Sequence, residues 1–224
     1  MNLDELVKTL GIEVDPELLT LALTHSSYGY EHDTEDYERL EFLGDSVLGY
    51  LVASYVFEQH PELQEGELTK LKNAVVSGQA LAAAANRMDL GSHIRIGKGE
   101  EQTDGRKKVN ILADTFESVL GAAFISNGIE AAKHIVEKFI FPLLDDPDAV
   151  REAADPKTSL VEKLARLGKQ DVAYKITGQG PEHEIVYTAH CHSGDELLGV
   201  GTGKTKKSAE TEAAINALRA LQKS

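Results

Sequence analysis

The sequence has no tryptophan, one cysteine and six prolines in 224 residues. A lone cysteine, Cys191, excludes a disulfide framework and leaves too few thiolates for a structural zinc site. With aromatics at 6%, the core must come from Leu, Val, Ile and Ala, a palette that favours helices. The scarcity of proline and a hydrophobic content of 42% imply a compact globule throughout. Long apolar runs are missing too. The longest nearly apolar stretch, 46–57, is too short to cross a bilayer. The start, MNLDELVKTL, is acidic and amphipathic, unlike a secretion signal. A cytoplasmic protein with no membrane partner is the expectation.

Positive charge is the other scarcity, and it is unevenly spread. The chain carries 23 Lys/Arg against 37 Asp/Glu, a net charge of −14. Residues 155–224 hold ten basic and nine acidic side chains, so 1–154 hold 13 and 28. That split predicts two domains with different tasks. The acidic part could meet a polyanion only if metal ions neutralise its carboxylates.

The stretch 37–52, YERLEFLGDSVLGYLV, carries the strongest local signal. As a helix at about 100° per residue, it places Glu38, Glu41 and Asp45 within roughly 60° of one another. Leu40, Leu43, Val47 and Leu51 gather on the other side and predict a core-facing stripe. Like charges at helical spacing repel, and no basic residue interrupts these three. A solvated acidic face is one explanation and a metal site is the other. Phe42 falls on the acidic side, away from the core, and predicts a contact with a second subunit.

Helices are expected at 3–10 and 16–27, the second N-capped by Asp15 with Pro16 in its first turn. The acidic helix that begins near Tyr37 should run to about Glu58. Residues 67–88 are helical in spacing, with Ser77-Gly78 as the point where the span can split into two helices. Residues 91–103 read as a polar surface loop, and Arg106-Lys107-Lys108 as a solvated turn. The segment 109–126 repeats the earlier design, with Asp114 and Glu117 on one edge and Leu112, Phe116, Val119 and Leu120 behind. Gly121 lies on the acidic edge and leaves room for a close neighbour. A last helix at 129–144 completes an all-helical domain. A polar linker follows at 147–155, and then the pattern becomes helix, three antiparallel strands and helix: an α-β-β-β-α unit over 156–223.

If the two apolar backs share one core, Glu41, Asp45, Asp114 and Glu117 converge. Two carboxylates about 4 Å apart repel by roughly 4 kcal/mol at an effective dielectric of 20, so such a cluster shares protons or binds cations. Oxygen-only donors suit a hard divalent ion, Mg²⁺ first, with Mn²⁺ able to substitute. Metal-assisted phosphodiester hydrolysis is the natural chemistry. At the other end, Lys204, Lys206 and Lys207 crowd the first turn of the final helix, where Thr205 can cap. Cations there oppose the helix dipole, which a clamp for phosphate groups explains. His25 reads as a structural hydrogen-bonding residue, and His190 and His192 on a strand do not form a zinc site.

The runs ERLEFLGDSVL (38–48), LTHSSY (23–28) and ILADTFESVLGA (111–122) resemble the signature segments of bacterial ribonuclease III. The segments KTSLVEKL (157–164), GPEH (180–183) and GTGKTKKSAETEAA (201–214) resemble a double-stranded RNA-binding domain. The resemblance covers nearly the whole chain. It implies a helical endonuclease domain at 1–146, a linker at 147–155 and an RNA-binding domain at 156–223. It further implies Glu41, Asp114 and Glu117 as Mg²⁺ ligands and Asp45 and Glu117 as catalytic residues. Glu38 and Glu65 match supporting acidic positions, and Phe42 matches a dimer contact. Thr158, Glu162 and His183 match minor-groove contacts, whereas Val161 stands where such domains usually carry Gln. The implied activity is cleavage of double-stranded RNA by a homodimer, leaving 5′-phosphate and 3′-hydroxyl ends, in the processing of rRNA precursors and other transcripts. A catalytically silent duplex-binding protein is the alternative.

Overall fold

Asp15 sets the entry to the helical unit, its carboxylate accepting the N–H groups of Glu17 and Leu18 at 2.9 and 3.1 Å. The computed structural model describes residues 3–145, 152, 155–180 and 185–222. They fall into two compact units, 1–150 and 151–224. The first begins with α1 (Leu3–Leu10), α2 (Pro16–Ala22) and α3 (Ser26–His32). The single helix expected at 16–27 is therefore two. His25 breaks it: its Nδ1 accepts the Ser27 N–H at 3.1 Å and caps α3. Thr24, just before it, pairs with Arg95 in an isolated parallel bridge.

Next come α4 (Glu38–Gln59), α5 (Glu65–Val75) and α6 (Gly78–Arg87). Ser77 caps α6 by accepting the Ala80 N–H, which fixes the split anticipated near Ser77-Gly78. The segment 91–103, expected to be a polar surface loop, instead holds most of α7 (Leu90–His93) and all of α8 (Lys98–Glu101) and buries His93, Ile94 and Ile96. Arg106 is no solvated turn. Its guanidinium donates to both Glu101 oxygens and to the carbonyls of Gly91 and Ile94, stitching this segment down.

The long helix α9 (Val109–Asn127) and α10 (Ile129–Phe139) complete the helical set, followed by a 3-10 turn at Phe141–Asp145 where a continuing helix was expected. Core residues recur through α4 as Leu40, Val47, Leu48, Leu51 and Val52, and through α9 as Leu112, Phe116, Val119 and Leu120. Phe116 is fully buried, worth about 3 kcal/mol of transfer free energy on its own. By length and composition α4 and α9 could each cross a membrane. Their apolar sides, however, pack into this unit's own core.

The second unit has α11 (Pro156–Arg166), strands β1 (Val172–Gln179), β2 (Val186–Ser193) and β3 (Glu196–Gly203), and α12 (Lys206–Gln222). The sheet is antiparallel in the order β1-β2-β3. Leu160 and Leu164 of α11, Ala189 and Cys191 of β2, and Ala209, Ala213, Ala217 and Leu218 of α12 form its separate core. Glycine lets α12 lie close on β3. A Cβ at Gly201 would stand 2.2 Å from the Ala213 nitrogen, and one at Gly199 2.5 Å from the Ala213 carbonyl oxygen. Most of the expected linker, and His183, lie outside the described residues.

Candidate metal centre and nucleic-acid interface

Two glycines bring the acidic edges together. A Cβ on Gly44 of α4 would stand 1.8 Å from the Glu117 carbonyl oxygen, and one on Gly121 of α9 2.3 Å from the Leu40 carbonyl oxygen. The helices therefore touch backbone to backbone, and side chains one turn from each glycine are forced into a common space. Glu41, Asp114 and Glu117 each place one carboxylate oxygen within 4.8 Å of the others. All three are half-buried. Oxygens sharing one hard cation at 2.0–2.6 Å lie up to about 4–5 Å apart, so the triad has the reach and the donor chemistry for a divalent ion.

Without a cation the cluster is electrostatically uncomfortable. Burial, reinforced by the charges of Asp45, Asp114 and Glu41, pushes the Glu117 carboxyl up to about 8. Burial also raises Glu41, with Asp114, Glu38, Asp36 and Asp45 adding to it. Asp114 is raised by burial and eased by His25. Each raised carboxyl is a proton-binding site that a divalent cation can take over. Asp45 is exposed beside the triad, and among the neighbouring charges it is the one that raises Glu117 most.

Tyr37 and His25 pack against each other, their rings edge to face at 5.6 Å. Tyr37 is buried and its hydroxyl is pushed up by burial and by Asp114, Glu41 and Glu38. Tyr37 was not marked by any local signal beyond its place one residue before the acidic stripe. Glu38 is exposed at the start of α4, its N–H held by Asp36 at 3.1 Å. Glu65 is exposed in the first turn of α5 and is not part of the triad.

Phe42 is 77% exposed. It flanks a groove of about 750 Å³ that Leu18, Leu21, Leu40, Leu43 and Ile125 also line. Glu35, Asp36, Glu38 and Arg39 complete the lining, so the groove joins apolar walls to a charged rim.

In the second unit, Thr158 and Val161 are exposed on α11, with Glu162 half-buried beside them and Leu160 and Leu164 facing inward. Asp155 caps this helix through the Thr158 N–H. Lys204, Lys206 and Lys207 are all exposed at the start of α12. There Thr205 and Ser208 cap reciprocally: Ser208 N donates to Thr205 Oγ1 at 3.0 Å, and Thr205 N to Ser208 Oγ at 3.1 Å. Among the described residues no carboxylate pairs with the three ammonium groups, whereas Lys157 is held by Glu210 and Lys169 by Glu196.

Comparison with known proteins agrees with both units. Residues 15–144 match the Ribonuclease-III-like family and residues 156–221 the double-stranded RNA binding motif. Ribonuclease 3 of Streptomyces coelicolor is 45% identical over 214 residues, covering 95% of this chain and 78% of that protein. Ribonuclease 3 of Leifsonia xyli is 45% identical over 217 residues, covering 96% and 92%. A structure of the nuclease domain of ribonuclease III from Campylobacter jejuni, described for flexibility in a region involved in dimer formation, aligns with a TM-score of 0.60 at 37% identity. It covers 63% of this chain and 97% of its own. With a triad of convergent carboxylates in one unit and an RNA-binding motif in the other, this chain belongs to the ribonuclease III family.

Proposed function

We propose a division of labour within the double-stranded-RNA endoribonuclease that family membership makes this chain. Glu41, Asp114 and Glu117 hold Mg²⁺, with Mn²⁺ able to substitute. The single observation that carries this is the approach of their oxygens to within 4.8 Å. Bound there, the ion supplies positive charge to phosphate oxygens and acidifies coordinated water. Glu117 gives up its proton to make room for the cation. Asp45, exposed next to it, is placed to accept a proton from water approaching from the solvent side. Glu38 and Glu65 have a supporting role at the rim.

Thr158, Glu162 and His183 make minor-groove contacts, and Lys204, Lys206 and Lys207 clamp phosphates across the intervening groove. Phe42 seats in the groove of a second copy, building the homodimer in which each site cuts one strand. The nuclease domain is assigned to 1–146, the linker to 147–155 and the RNA-binding domain to 156–223. The products carry 5′-phosphate and 3′-hydroxyl ends, and the substrates are rRNA precursors and other structured transcripts in the cytoplasm.

Incubation with a perfect RNA duplex, in Mg²⁺ and then in EDTA, tests the reading. Cleavage in Mg²⁺ alone is expected. Binding without cleavage in Mg²⁺ would leave a silent duplex-binding protein instead.

A further inference from the structure

β3 is an edge strand, bonded to β2 on one side only, so one row of its peptide groups lacks a strand partner. Two side chains one turn apart on α12 reach that row. The Glu212 carboxylate accepts the Thr202 N–H at 2.6 Å and lies 3.3 Å from Thr202 Oγ1. Asn216 Nδ2 donates to the Val200 carbonyl at 2.9 Å.

Glu212 is exposed, and an exposed acid near three lysines lowers the positive potential that attracts phosphate. Electrostatics alone therefore argues against an acid at this position, and its hydrogen bonds supply the reason for it. Only Gly203 and Lys204 lie between Thr202, which Glu212 holds, and Thr205, which the capping pair holds. Gly203 presses on the helix start: a Cβ there would stand 2.2 Å from Ser208 Oγ. Gly203 is the last residue of β3, opposite Tyr187, so Lys204 alone bridges the strand end and the helix cap, and its direction depends on both anchors.

We propose that Glu212 is a positioning residue for duplex binding: by holding Thr202 it fixes the end of β3 and keeps Lys204, the next residue beyond that strand, aligned with Lys206 and Lys207. The proposal rests on the reading of those lysines as phosphate contacts. The acid trades a little local potential for a fixed cation.

The test uses the full chain and a short perfect RNA duplex in EDTA, with Kd measured across a series of KCl concentrations. Glu212→Ala is expected to weaken binding about 3- to 10-fold and to lower the salt slope by about one, the signature of a lost phosphate contact. Glu212→Gln keeps an acceptor oxygen and is expected to restore Kd to within about twofold, since the lost charge was never the useful part. In Mg²⁺, Glu212→Ala should raise KM and leave kcat unchanged. Tighter or unchanged binding by Glu212→Ala overturns the proposal, because the acid would then only repel phosphate. Equal weakening by a folded Glu212→Gln overturns it as well, and that variant decides the matter should the alanine variant unfold. Lys204→Ala separates the two layers. If it weakens binding while Glu212→Ala does not, only the positioning role falls. If Lys204→Ala leaves Kd and slope untouched, the clamp reading falls and takes the positioning role with it.

Discussion

Gly44 on α4 lies directly against Glu117 on α9, so close that a Cβ on the glycine would stand 1.8 Å from the Glu117 carbonyl oxygen. The convergence of the Glu41, Asp114 and Glu117 carboxylates depends on that approach. Gly44→Ala must drive the helices apart until the contact reaches 3.4 Å or more. Overpacking of this kind costs about 1–3 kcal/mol, and here the displaced backbone belongs to a triad residue. A lowered urea midpoint together with weakened Mg²⁺ binding is the expected outcome. A variant with wild-type Mg²⁺ affinity would show that the spacing of these two helices does not set the site.

The raised Glu117 carboxyl makes the metal-free protein sensitive to pH. Its folded-state value of about 8 lies above the ordinary 4.5, so the folded state holds this proton more tightly than the unfolded one. The stabilisation is complete below about 4.5 and is lost as pH climbs toward about 8. In EDTA the wild-type Tm should fall across that window more steeply than that of Glu117→Gln. Added divalent ion should recover the loss at the alkaline end, with release of protons measurable in weakly buffered solution. Parallel Tm profiles for the two proteins would show that Glu117 is not the strained group.

Phe42 gives a prediction about assembly. A large aromatic that is 77% exposed beside an apolar groove has the character of a hot-spot anchor. Phe42→Ala should weaken the dimer by at least about 10-fold, as loss of such anchors commonly does. Sedimentation at falling protein concentration reads this directly, and an unchanged dimer at the lowest concentration would remove Phe42 from the contact.

What the sequence reveals follows the range of the interactions involved. The acidic edges of α4 and α9 are visible because helical periodicity is local, and Gly121 adds the hint of a close neighbour. Asp15, Ser77 and Thr205 announce helix starts for the same reason. The break at His25 is not visible, because LTLALTHSS keeps a helical rhythm while Thr24 turns aside to pair with Arg95, 71 residues later. The stretch 91–108, expected as a loop over 91–103 and a solvated turn over 106–108, misleads in the same way. Its glycines and charges look like a surface loop, yet Glu31 of α3 accepts the Lys98 N–H at 2.8 Å and Arg106 holds two carbonyls from beneath. Gly44 escapes periodicity as well, since its role exists only when α9 is already in place.

The most direct test of the central claim is a comparison of wild-type protein and Glu117→Gln on one perfect RNA duplex. Duplex affinity is measured in EDTA and single-turnover cleavage in Mg²⁺. The substitution removes one carboxylate of the triad with little change in volume. Binding should stay within about twofold, and cleavage should fall by at least about 100-fold, the upper range for losing even an indirect supporter of a metal site. Cleavage by Glu117→Gln at the wild-type rate would contradict the assignment of the α4–α9 carboxylates as the metal centre.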